Sequence, residues 1–183
     1  MVTMVQFSIS VSDFQQENDV KTSGKNSLHE RVQSLEDRLS IYQLVAGYGY
    51  AVDGCNASAV GSFYSENGSY AVGDVGTFEG REQIAGITKQ SGHRNLVAVG
   101  CGHVSTVPYV VIDNDRATAT CHTMLILHGK DGFYVDRLSA SRLELSRKPD
   151  GGWQIELRQN YMLNGDPRGP ALLAGLDEGP GSA

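Results

Sequence analysis

The strongest constraint on what this chain can fold into is a change of hydrophobic period part-way along it. Leu28, Val32, Leu35, Leu39 and Tyr42 recur at three- and four-residue steps, and Ser27 with Glu30 forms a capping-box signature. The spacing predicts one amphipathic helix from Ser27 to about Tyr50. Gly47, Gly49 and Gly54 loosen its end and put Asp53 at or just past its last turn. From about residue 97 the period becomes that of strands, near 97–112, 116–128, 133–147 and 153–163. Asp113-Asn114-Asp115, Gly129-Lys130-Asp131-Gly132 and Lys148-Pro149-Asp150-Gly151-Gly152 supply the turns between them. Helices first and long strands afterwards argue for an α+β layer rather than alternating βαβ units.

Smaller elements fill the middle. A short helix is expected over Ala57 to Tyr64 with Asn56 as its cap, then a strand from Ser69 to Val72 returning over Thr77 to Glu79, then a helix from Arg81 to Lys89. Residues 1–27 are polar and without period and read as a flexible arm; 28–165 read as the folded domain. Residues 166–183 form a Gly/Pro-richer extension, with Gly179 to Ala183 as a frayed tail.

Composition narrows function mainly by exclusion. A net charge of −6 with no Lys/Arg cluster offers no footprint for a phosphate backbone, so no nucleic-acid partner is expected. The longest apolar runs, Ile41 to Val45 and Val107 to Ile112, are far shorter than the roughly 20 residues that span a bilayer. Met1 to Val20 lacks a basic start followed by an apolar run, so neither a membrane nor a secretory signal is expected. Cys55, Cys101 and Cys121 are too irregularly spaced for a zinc site or a disulfide framework; they read as small buried side chains in a reducing, cytoplasmic setting. His122 and His128 share a strand face with no carboxylate pattern to complete a metal triad, and His29 and His93 are expected at the surface. Glycine clusters such as Gly73 to Gly76 lack the strand-to-helix context of a phosphate loop. Neither a metal nor any other cofactor is expected.

Leu44 to Asp53, Gly76 to Ile84, Gly102-His103-Val104, Asp115 to Ala119 and Gly152-Trp153-Gln154-Ile155, in this order and spacing, resemble the nuclear transport factor two superfamily. The likeness is to its SnoaL-like branch of polyketide cyclases, dehydratases and dehydrochlorinases, and it runs from about Leu35 to Leu163. It implies a cone-shaped α+β barrel, or cystatin-like roll, in which a curved antiparallel sheet wraps around N-terminal helices and leaves a deep apolar cavity for a small hydrophobic substrate.

Scytalone dehydratase, bile-acid 7α-dehydratase and hexachlorocyclohexane dehydrochlorinase in that superfamily use a histidine supported by an aspartate. By motif position these are His103 and Asp53. The chemistry suits them: imidazole titrates near neutrality, and a carboxylate on one nitrogen fixes the tautomer and stabilises the imidazolium. Tyr48 falls where the bile-acid enzyme has a pocket tyrosine and the dehydrochlorinase a lysine, and a phenol can donate to an enolate-like oxygen or a departing hydroxyl. Five residues along a helix turn by about 140°, so Tyr48 and Asp53 are expected to reach one pocket only if the helix loosens. Arg158 falls near an arginine of the dehydrochlorinase's last strand, although strict alternation puts it on a face with Gln154, Glu156 and Asn160, where it could be solvated. Tyr70 either lines the cavity or packs in the core.

The resulting expectation is a cofactor-independent dehydratase in which His103 is the base, Asp53 orients it, Tyr48 polarises an oxygen, and Arg158 and Tyr70 bind substrate. An isomerase, cyclase or dehydrohalogenase on the same scaffold, or a noncatalytic ligand-binding or structural subunit, are the alternatives. Strand 118–127 is apolar on both alternations, which predicts a homo-oligomer, dimer or trimer.

Overall fold

The computed structural model describes residues 27–181; the expected arm lies outside these but for Ser27. The chain divides into two units, Met1–Gln33 and Ser34–Ala183. The capping box is formed: Glu30 N–H donates to Ser27 Oγ at 3.2 Å, and Ser27 N–H to Glu30 Oε2 at 2.7 Å. Helix α1 runs Leu28–Asp53, about a turn longer than expected. Its buried face is not the expected stripe. Leu35 and Leu39 are exposed, and the core instead takes Asp37, Ile41, Leu44, Val45, Tyr48 and Val52, a second set at helical spacing that the leucines obscured.

Hydrogen bonds from two residues, Arg147 and Trp153, anchor this face at Asp37. Arg147 grips the carboxylate with both terminal nitrogens at 2.7 and 3.0 Å, and Trp153 Nε1 donates to it at 3.1 Å. The Arg147 guanidinium also lies 4.5 Å over the Trp153 ring. The glycine turn at Asp150-Gly151-Gly152 thus delivers Trp153 to the flank of α1.

Helix α2, Ala57–Ser62, is capped by Asn56, whose side chain accepts from Ala59 N–H; it stops before Tyr64, which opens strand β1, Tyr64–Val72. β1 is longer than expected because Tyr64 and Ser65 are buried beside β7 rather than continuing the helix. β2 is Gly76–Glu79. Helix α3, Arg81–Gly86, continues as a 3-10 turn, Ile87–Lys89. A helix α4 then covers Ser91–Val99, where a strand was expected to begin at residue 97. Leu96-Val97-Ala98-Val99 has strand-like composition, but packing overrides propensity in so short a run. Gly100 stops it with φ 108, a left-handed value that glycine adopts without strain.

The expected strand 97–112 is two strands, β3 (Cys101–Ser105) and β4 (Tyr109–Asp113), both paired with β5 (Arg116–Gly129). At the break, Pro108 has no N–H to give, and Thr106 bridges the gap by accepting from His122 N–H at 3.1 Å and donating its own to His122 O at 3.0 Å. β6, Gly132–Arg147, and β7, Trp153–Met162, complete a curved, unclosed sheet in the order β2-β1-β7-β6-β5-β3. All its pairings are antiparallel except β1 with β7, which are parallel. In the C-terminal extension a short helix α5, Arg168–Ala174, was not expected. Arg142 donates to the carbonyls of Gly175 and Glu178 beyond it. No helix among the described residues is long and apolar enough to cross a membrane.

Candidate active site

A cavity of about 380 Å³ opens between the C-terminal half of α1, α4 and the inner face of the sheet. Val52, Phe78, Ile87, Leu96, Met124 and Leu125 give it apolar walls; Tyr48, Tyr70, His93, His103, Arg137 and Arg158 bring polar groups to it. A volume of this size suits a small ring system.

His103 and Asp53 meet at its edge. The His103 backbone N–H donates to Asp53 Oδ2 at 2.9 Å, and Nδ1 of the ring donates to Oδ1 at 2.6 Å. The carboxylate accepts only, so Nδ1 carries the proton and Nε2 keeps its lone pair for a ligand. Burial is the larger influence on the imidazole and holds it below its ordinary value of 6.5, against the bond to Asp53, which acts the other way. His103 is therefore neutral at neutral pH.

Gly49 makes this meeting possible. A Cβ there would stand 2.2 Å from the carbonyl oxygen of His103, so only glycine lets β3 cross α1 closely enough for Asp53 to reach the ring. Asp53 does not line the cavity; it approaches His103 from behind, as the last residue of α1. Tyr48 lines the cavity from the preceding turn. The 140° between them therefore needs no loosening of the helix: one side chain faces the ligand space and the other supports the histidine.

Tyr48 is buried and lies among Tyr64, Tyr70 and Arg158. Its ring centroid is 6.1 Å from that of Tyr70, with the Arg158 guanidinium 4.3 Å from its ring centroid. Burial, followed by the neighbouring Tyr70 and Tyr64, raises its phenol well above the ordinary value, so it remains a donor. Arg158 is buried, not solvated. The reason is a β-bulge: Leu145 pairs with Ile155 and Glu144 with Leu157, leaving Glu156 extra and reversing the alternation beyond it. Arg158 and Asn160 consequently join the cavity wall, and the Glu156 carboxylate accepts from Ser65 and Ser146.

Sequence reasoning missed three neighbours. His93 is buried, contrary to the expected surface position, and its ring centroid lies 5.8 Å from that of His103. Its Nε2 donates to Val52 O at 2.9 Å, which leaves Nδ1 as an acceptor. The strand-like composition of Leu96 to Val99 hides the helix that carries it. Arg137 reaches the cavity after a second bulge, at Asp136. Cys101 Sγ lies 3.8 Å from Asp53 Oδ1. Cys101, Asp53 and His103 offer donor atoms within 4.8 Å of one another, the one such group among the described residues with metal-ligand spacing. Both Asp53 oxygens are already engaged by His103.

The family described as SnoaL-like domain matches residues 33–159. An NTF2-like protein with a cystatin-like fold from Novosphingobium aromaticivorans is similar at 36% identity, with a TM-score of 0.78, over 82% of this chain and 99% of that one. A Mycobacterium tuberculosis protein of unknown function has a TM-score of 0.65 at 19% identity, over 84% and 92% of the two chains. A hexachlorocyclohexane dehydrochlorinase, LinA-type3, from Novosphingobium barchaimii has a TM-score of 0.63 at 16% identity, over 73% and 90%. No curated protein matches the sequence significantly.

Proposed function

The chain belongs to the SnoaL-like domain family, and within it we propose a cofactor-independent lyase, a dehydratase acting on a hydroxylated, mostly apolar ring or polycycle. The observation that carries this reading is the His103–Asp53 hydrogen bond of 2.6 Å at the edge of a largely apolar cavity. His103 Nε2 takes the proton from a carbon beside a carbonyl or similar activating group. The released electron pair moves onto that group's oxygen as an enolate, which Tyr48 stabilises by donating its phenolic hydrogen. Collapse of the enolate expels the β-hydroxyl, which leaves as water with the proton returned by the His103 imidazolium. Asp53 holds the ring and offsets its positive charge, which the C-terminal end of α1 also favours.

The test is turnover of β-hydroxy ketones built on fused rings, read by mass spectrometry. Wild-type protein should give a product lighter by one water, and His103→Gln should lower the rate by about a thousandfold, within the range of general acid–base catalysis. A product of unchanged mass would move the reading to an isomerase or cyclase. Full turnover by His103→Gln would end the mechanism.

A further inference from the structure

The fold answers its other buried or part-buried arginines. Arg147 is gripped by Asp37 and Asp115, and Arg142 is capped by the carbonyls of Gly175 and Glu178. Arg158 is different. It is 5% exposed, no carboxylate among the described residues pairs with it, and its Nε donates to Ser141 Oγ at 3.2 Å. Its guanidinium lies 4.3 Å from the ring centroid of Tyr48 and 4.8 Å from that of Tyr70, cation–π contacts that supply no full counter-charge. Beside it the fully buried Tyr64 hydroxyl has no partner at hydrogen-bonding geometry among the described residues.

A guanidinium withdrawn from water without a counter-charge is costly, and the remedy available here is the cavity it lines. The lining's other cation, Arg137, is paired with Asp136 at 3.4 Å, and its one acidic residue, Asp74, is engaged by Arg168 at 2.7 Å. An acidic chain of net charge −6 thus keeps a positively biased cavity.

We propose that Arg158 is an anion subsite and that the ligand of this cavity is an apolar ring acid, its carboxylate docked on the Arg158 terminal nitrogens and its ring against the apolar walls. The docked acid is also the substrate only if the lyase reading holds; the subsite itself stands on Arg158. Bidentate pairing gives such a group both affinity and orientation, and fixes which ring carbon faces His103.

Calorimetric titration of the full chain with naphthoate and with naphthamide, near-isosteres that differ in charge, tests the subsite. Wild-type protein should bind naphthoate at least about tenfold more tightly, as expected of a charge-assisted bond in a cavity. Arg158→Met should erase that preference and keep naphthamide binding. Absence of naphthoate binding, equal affinities in the wild type, or a preference undiminished in Arg158→Met overturns the proposal. Should Arg158→Met not fold, a crystal of the wild-type protein with naphthoate decides: a carboxylate on the Arg158 nitrogens supports the subsite and a carboxylate elsewhere overturns it. His103→Gln, which removes turnover under the lyase reading, keeps the naphthoate preference, so either idea can fail without the other.

Discussion

At His103 burial and a carboxylate pull the same proton in opposite directions, and burial prevails. For a general base the consequence has a definite sign. Activity should rise with pH through an apparent pKa below 6.5 and be flat across neutrality, because the imidazole is already neutral there. A kcat/KM profile still climbing above pH 7.5 would contradict this assignment. Asp53→Asn should keep the fold but slow turnover by about a hundredfold, since an amide cannot offset imidazolium charge; steady-state kinetics beside circular dichroism would show it. Gly49→Ala probes the same pair from the backbone. The added methyl meets a carbonyl oxygen rather than a pliable side chain, so β3 must shift, at a cost of about 1–3 kcal/mol, and turnover should fall as His103 moves off Asp53. Wild-type melting and wild-type kcat in Gly49→Ala would show that this crossing does not seat the histidine.

Among the elements, the join between α1 and the β6–β7 hairpin rests on Asp37, Arg147 and Trp153. Asp37→Ala leaves Arg147 and the indole N–H without that acceptor in a largely buried place, which should cost about 3 kcal/mol in urea unfolding while leaving the His103–Asp53 contact in place. Much of this level was legible in the sequence. The start of α1 after Ser27 and the three long strands after residue 115 follow from capping, period and turn residues that act locally. What escaped depended on partners distant in the chain. The stripe through Leu35 and Leu39 looked like the buried face until the sheet chose the side with Ile41 and Tyr48. The facing of Arg158 stays open in the sequence because alternation assumes an unbroken ladder, and the extra residue at Glu156 is visible only once β6 is paired with β7. His93 needed a helix whose valines disguise it.

For the molecule as a whole, Phe133, Tyr134, Val135 and Leu138 along the first half of β6 are exposed and lie outside the cavity lining. A monomer rarely leaves so much apolar surface uncovered. Light scattering at micromolar concentration should therefore give a dimer or trimer, and Val135→Asp with Leu138→Asp should shift it toward the monomer; a monomeric wild type would refute the idea. The placement of Asp53 outside the cavity has a different kind of reach. The parts that would handle a proton are mounted on α1 and β3, whereas much of the surface that would decide what enters is supplied by β5, β6 and β7. The two can be altered independently. A lineage, or an engineer, can recut the walls for a new guest while leaving the machinery behind them untouched, and a scaffold divided in this way is suited to diversify by its lining alone.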